Sequence, residues 1–169
     1  MEKVLSKLEE TREKVLSLVN PMTEEKFSNR LVPEMWSIAE NIHHLTIVEN
    51  NYVASMQKAL ENPVPPMSAL RRLFQVPGWM AEVRLIKVKA PRIAQPLNPP
   101  AKKETLDNFN KTRDLLKKIC KEAGYDGMLK LTLKHPFFGD MDGVNTVVFL
   151  GAHEVRHHKQ ILETLDKVK

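Results

Sequence analysis

His153 and His157 stand four residues apart in the run His153-Glu154-Val155-Arg156-His157-His158-Lys159-Gln160, which holds three of the six histidines of the chain. On an α-helix, residues i and i+4 lie one above the other on the same face. Both imidazoles can then address one object, and a divalent transition metal rewards such a pair. Two ligands hold a metal weakly, so a third is expected. The other histidine cluster is His43-His44, more than a hundred residues upstream. One imidazole from that pair and two from the later run would make a three-histidine site. Neutral imidazole suits Zn²⁺, Ni²⁺, Fe²⁺ and Cu²⁺. Three protein ligands leave a coordination position open, the mark of a catalytic site. A metal there can acidify a water or ionise a thiol.

Four long helices must bring these residues together. Val4, Leu5, Leu8, Val15, Leu18 and Val19 space one amphipathic helix over 2–19, stopped by Asn20-Pro21. Thr23 can cap a short helix to about Ser28. Ser37 and Glu40 have capping-box spacing and open a second long helix running to about Leu60. On it His44 shares the inner face with Asn41 and Val48, and His43 is rotated away by about 100°. Residues 61–101 hold eight of the eleven prolines and read as a long crossover with one or two short helices around Ala69–Phe74 and Trp79–Ile86. A third long helix is expected over 102–122, ending at Gly124 as a left-handed cap. Leu129–Lys134 alternates as a short extended piece, and His135-Pro136-Phe137-Phe138-Gly139 turns the chain. Asp140 or Asp142 then caps a fourth helix over about 143–166. The pattern predicts an all-α four-helix bundle, a single domain over 1–169, with the Pro-rich crossover between the second and third long helices. Such bundles build metal sites between facing helices.

Composition narrows the classes. With 169 residues, 42% hydrophobic and 28% charged, the chain suits one soluble globular domain. A lone cysteine, Cys120, excludes a disulfide framework and fits a reducing, cytoplasmic setting; within Leu115–Cys120 it reads as buried filler. No run approaches the ~20 apolar residues of a membrane span, and the first residues read as neither signal nor transit peptide. A net charge of +5, spread along the chain without a basic stripe interleaved with aromatics, argues against nucleic acid as the partner.

Around the histidines, Gln160 shares the 153/157 face and could orient a ligand or bound water. Glu40, one turn before His44, could act as base or supporting partner, although the capping box explains it. Arg156 suits an anionic substrate or, better, a carboxylate on a neighbouring helix. His158 is off the face. His135, before a proline, reads as a turn residue near the mouth of the site. Trp79, Met80 and Arg84 are candidate pocket walls.

Trp36-Ser37-Ile38-Ala39-Glu40-Asn41-Ile42-His43-His44-Leu45 resembles the second-helix signature of the DinB-like superfamily, also called the YfiT-like metal-dependent hydrolases. His135-Pro136-Phe137-Phe138-Gly139 resembles its loop before the last helix, and His153 through Ile161 its last-helix pattern. The three matches occur in order and cover essentially the whole chain. The resemblance implies a four-helix bundle with a divalent metal, nickel or zinc, on His44, His153 and His157. His44 is the choice over His43 because it directly precedes Leu45. It further implies a homodimer acting on a small molecule, either as an S-transferase using a low-molecular-weight thiol or as a hydrolase. The rival reading is a non-catalytic metal-binding stress-response or interaction module.

Overall fold

The computed structural model describes residues 1–83 and 90–168. Arg84, Leu85 and Ile86, named above as crossover residues, lie outside them. In chain order the elements are α1 (Glu2–Val19), α2 (Glu24–Ser28), α3 (Ile38–Glu61), α4 (Ala69–Leu73), α5 (Lys102–Lys130), a hairpin of β1 (Leu133–His135) and β2 (Gly139–Met141), and α6 (Gly143–Asp166). Two 3-10 turns, Gly78–Glu82 and Arg92–Ala94, complete the crossover. The four long helices α1, α3, α5 and α6 form the bundle: α3 packs on α5, α1 on α6, and α6 also meets α3 and α5.

The helix starts follow from the caps. Ser37 Oγ accepts the Glu40 amide at 3.1 Å while the Glu40 carboxylate accepts the Ser37 amide at 2.7 Å, a complete capping box on α3. Asp142 Oδ1 accepts the Asn145 amide at 2.7 Å and starts α6. Two expectations need correction. The helix reaching Gly124 does not end there. Gly124 has φ 66° and ψ 179°, a conformation open only to glycine, so it kinks the chain and helix resumes to Lys130. Consequently Leu129 and Lys130 are helical, and the extended piece begins at Leu133, where it pairs antiparallel with β2 in the register Leu133–Met141.

The crossover is strapped to α6. The Gly78 amide donates to Asn145 Oδ1 at 2.6 Å, and the Gln75 side chain joins both Asp142 and Asn145. A Cβ on Gly78 would stand 2.3 Å from the Asn145 carbonyl oxygen and 2.5 Å from the Phe149 amide nitrogen, so only glycine permits this approach.

A layer of charge divides the interior. Each long helix contributes one member: Arg12 from α1, Glu49 from α3, Arg113 from α5 and Glu154 from α6, none more than 4% exposed. Arg113 forks onto Glu49 with bonds of 3.0 and 2.9 Å and also bonds Glu154. Arg12 reaches Glu154 at 3.1 Å and Glu49 at 3.1 Å, and its guanidinium lies over the Phe109 ring. On one side of the layer sits an apolar core with Leu5, Leu8, Met56, Leu116 and Leu150; on the other, a core with Val15, Val19, Ile42, Phe109 and Ile161. Two cations matched by two anions leave no uncompensated charge, but removing one member would. Arg113→Met is expected to lower unfolding free energy by roughly 3–5 kcal/mol, measured by denaturant titration. A loss under about 1 kcal/mol, the range of surface pairs, would contradict the burial of this layer.

Candidate metal centre

His44 on α3 and His153 and His157 on α6 meet between the two helices, with one ring nitrogen of each within 4.8 Å of the others. Nε2 of His153 lies 3.2 Å from Nε2 of His157 and 3.4 Å from Nε2 of His44. The outer nitrogens fix the protonation pattern. His44 Nδ1 donates to the Ala94 carbonyl at 2.6 Å, and His157 Nδ1 donates to Asn41 Oδ1 at 2.8 Å. Both acceptors are oxygens without protons, so the Nδ1 atoms carry the hydrogens and the two Nε2 atoms present lone pairs. His153 can supply a single N–H toward two such lone pairs. One nitrogen therefore still faces another without a proton between them, and a cation removes that conflict. The spacing fits as well: nitrogens about 2.05 Å from one tetrahedral ion stand about 3.3 Å apart. The donor set is that of a Zn²⁺-, Ni²⁺- or Fe²⁺-type site.

Aromatic rings hold the imidazoles in place. Trp36 stacks on His157 with centroids 6.0 Å apart and leans on His44 at 5.0 Å. Phe149, one turn before His153, stacks on that ring at 5.4 Å. Burial pulls the His44 pKa below its ordinary value, against the opposing pull of the Ala94 bond. Burial, then the neighbouring His44, lowers His153 well below it. Neutral rings are the ligating form.

The other residues singled out from sequence are placed as follows. His43 and His158 stand outside the cluster. Glu40 is engaged by the capping box and by Arg30, whose Nε donates to it at 2.8 Å. The Gln160 side chain is half-buried and makes no hydrogen bond with the described residues. Arg156 donates to the Val83 carbonyl at 2.6 Å, so it grips the crossover. Trp79 and Met80 are 58% and 42% exposed. His135 serves the turn: its Nδ1 accepts the amides of Phe137 and Phe138 at 3.0 and 2.9 Å. Its ring lies 4.6 Å from that of Phe149, which in turn stacks on His153. Burial pushes the Cys120 thiol up to about 12, which removes it as a nucleophile. Sequence reasoning missed Trp36, Asn41 and the Ala94 carbonyl as supports. Asn41 and His44 on one inner face was the available signal; the Ala94 contact crosses the fold and left none.

The sequence profile of the DinB superfamily matches residues 7–161. The chain belongs to the DinB superfamily. Among proteins similar to this DinB chain, the uncharacterized protein YuaE of Bacillus subtilis (strain 168) is 25% identical over 169 residues, 98% of this chain and 99% of YuaE. YfiT from Bacillus subtilis, described as a probable metal-dependent hydrolase with an unusual four-helix bundle topology, superposes with a TM-score of 0.65 at 16% identity, covering 98% of this chain and 86% of YfiT. That likeness establishes the four-helix DinB fold. No helix among the described residues is long and apolar enough to cross a membrane.

Acid should undo this centre. His44 and His153 titrate below 6.5 in the folded chain, and burial pushes His135 down to about 4. Between those values and 6.5 the unfolded chain binds more protons than the folded one, so stability rises with pH and is lost on acidification. The metal-free protein is expected to melt at steadily lower temperature as pH falls from about 6.5 toward 4, followed by circular dichroism. A flat profile across that window would contradict neutral burial of these rings.

Proposed function

We propose that the protein is a metal-dependent enzyme acting on a small molecule, with His44, His153 and His157 as the ligands. The observation that carries this reading is the convergence of three Nε2 atoms with two of the Nδ1 protons committed elsewhere. When bound, a divalent ion supplies a Lewis acid that lowers the pKa of a coordinated water or thiol and polarises an electrophile. The chain's own residues hold the three rings neutral and aimed, and the crossover closes over them through Ala94. Nickel or zinc is the expected ion, and a homodimer in the cytoplasm the expected setting.

Two chemistries remain, each favoured by a particular observation. Transfer to a low-molecular-weight thiol is favoured because, among the described residues, no carboxylate joins the three nitrogens. Glu40, Glu49 and Glu154 are all engaged by arginines. A metal can ionise either a water or a thiol, but expelling an amine or alkoxide also calls for a proton donor to the leaving group, whereas expelling chloride does not. Hydrolysis is favoured by the description of YfiT. The discriminating experiment incubates zinc- or nickel-loaded protein with an activated chloroaromatic plus a panel of thiols, and in parallel with ester and amide substrates. Thiol-dependent loss of chloride that vanishes in His153→Ala supports transfer. Ester or amide cleavage with the same dependence supports hydrolysis. Metal uptake without turnover in either assay would overturn the enzymatic reading in favour of a non-catalytic metal-binding module.

A further inference from the structure

Asn41 is 2% exposed, and both ends of its amide are committed. Its Nδ2 donates to the Ser37 carbonyl at 2.9 Å and approaches the Trp36 carbonyl at 3.4 Å. Carbonyls only accept, so the amide cannot be turned over: nitrogen faces the start of α3 and Oδ1 faces His157. Oδ1 in turn accepts and does not donate, so His157 Nδ1 must carry the ring proton at their 2.8 Å contact. A neutral imidazole has one N–H. The lone pair is thereby assigned to Nε2, the atom 3.2 Å from His153 Nε2.

We propose that Asn41 is the positioning residue that makes His157 a metal ligand, selecting its tautomer and aiming its ring. The inference rests on the metal reading of the site. The amide is suited to the place because it does two jobs with opposite polarity. It donates to the Ser37 and Trp36 carbonyls at the start of α3 and accepts from the imidazole. A leucine of similar size does neither. An aspartate keeps the acceptor for His157 but loses the donor to Ser37 and Trp36, so the two variants separate ligand positioning from helix support. Hydrogen-bond partners of metal-bound histidines are typically worth about 10- to 100-fold in affinity.

The test measures zinc affinity by chelator competition for the wild type, Asn41→Leu and Asn41→Asp. Thermal melts and a long-range ¹H–¹⁵N spectrum of the histidine rings in the metal-free state accompany it. Asn41→Leu is expected to lose about 10- to 100-fold in zinc affinity and to populate the Nε2–H form of His157. Asn41→Asp is expected to melt earlier yet bind zinc at the wild-type level or tighter, with Nδ1–H retained. Should Asn41→Leu fail to fold, the aspartate variant and the wild-type ring spectrum still decide the matter. Equal zinc affinity in all three proteins, or a wild-type His157 protonated on Nε2, overturns the proposal while leaving the metal centre standing. An aspartate variant as weak as the leucine variant assigns Asn41 to helix support alone and overturns it too. A wild-type protein that takes up no zinc and no nickel overturns the metal reading itself.

Discussion

Lone pairs on like atoms repel, and this fold forces lone pairs together. Ala94 and Asn41 each take the Nδ1 proton of a histidine, leaving His44 and His157 with bare Nε2 atoms directed at a third imidazole. Folded domains are stabilised by only some 5–15 kcal/mol overall, so packing that holds His153 Nε2 3.2 Å from one bare nitrogen and 3.4 Å from the other makes sense if a cation occupies their common point. The surrounding structure serves that convergence. Trp36 and Phe149 restrain the ring planes, and the crossover supplies the Ala94 carbonyl that takes the His44 proton.

Convergence at this level of precision requires that α3 and α6 not slide. Glu154 follows His153 directly in sequence, and Glu49 lies five residues beyond His44 on the same helix. Both glutamates are clamped by Arg12 and Arg113 from the remaining two helices. A shift of one helix along its axis would strand a buried charge, at several kcal/mol per ion, whereas a purely apolar interior would tolerate such slippage. The charged layer thus sits beside the three histidines and penalises any register of α3 and α6 in which they would not meet. Its neutrality explains how four ionic side chains survive between two apolar cores.

Much of this was readable in the chain. The four long helices follow from apolar spacing, and the caps of α3 and α6 from Ser37, Glu40 and Asp142, because caps act within one turn. The four-helix fold and the family were legible in the Trp36–Leu45, His135–Gly139 and His153–Ile161 runs. Gly124 was misread because a kink and a stop share the same residue signal; what decides between them is whether the following segment, here Gly127–Lys130, packs against the bundle. The first strand and the turn of the hairpin were legible, but β2 escaped because Gly139–Met141 is too short for a period to show. The charged layer had a sequence signal that spacing arguments passed over. Arg12, Glu49, Arg113 and Glu154 are each the one buried arginine or carboxylate of their long helix among the described residues, set between apolar positions of the inward stripe. Pairings between them, and the Ala94 contact to His44, span 37 to 142 residues or come from a crossover without periodicity. They emerge only when the chain is folded.

The central claim is that these three imidazoles share one metal ion. Anomalous diffraction at the zinc and nickel absorption edges, from crystals of protein purified without an affinity tag, addresses it directly. A single anomalous peak about 2.0–2.1 Å from Nε2 of His44, His153 and His157 is the predicted result. A peak resting on His43 or His158, or an ordered water in place of any metal after loading with both ions, would contradict it.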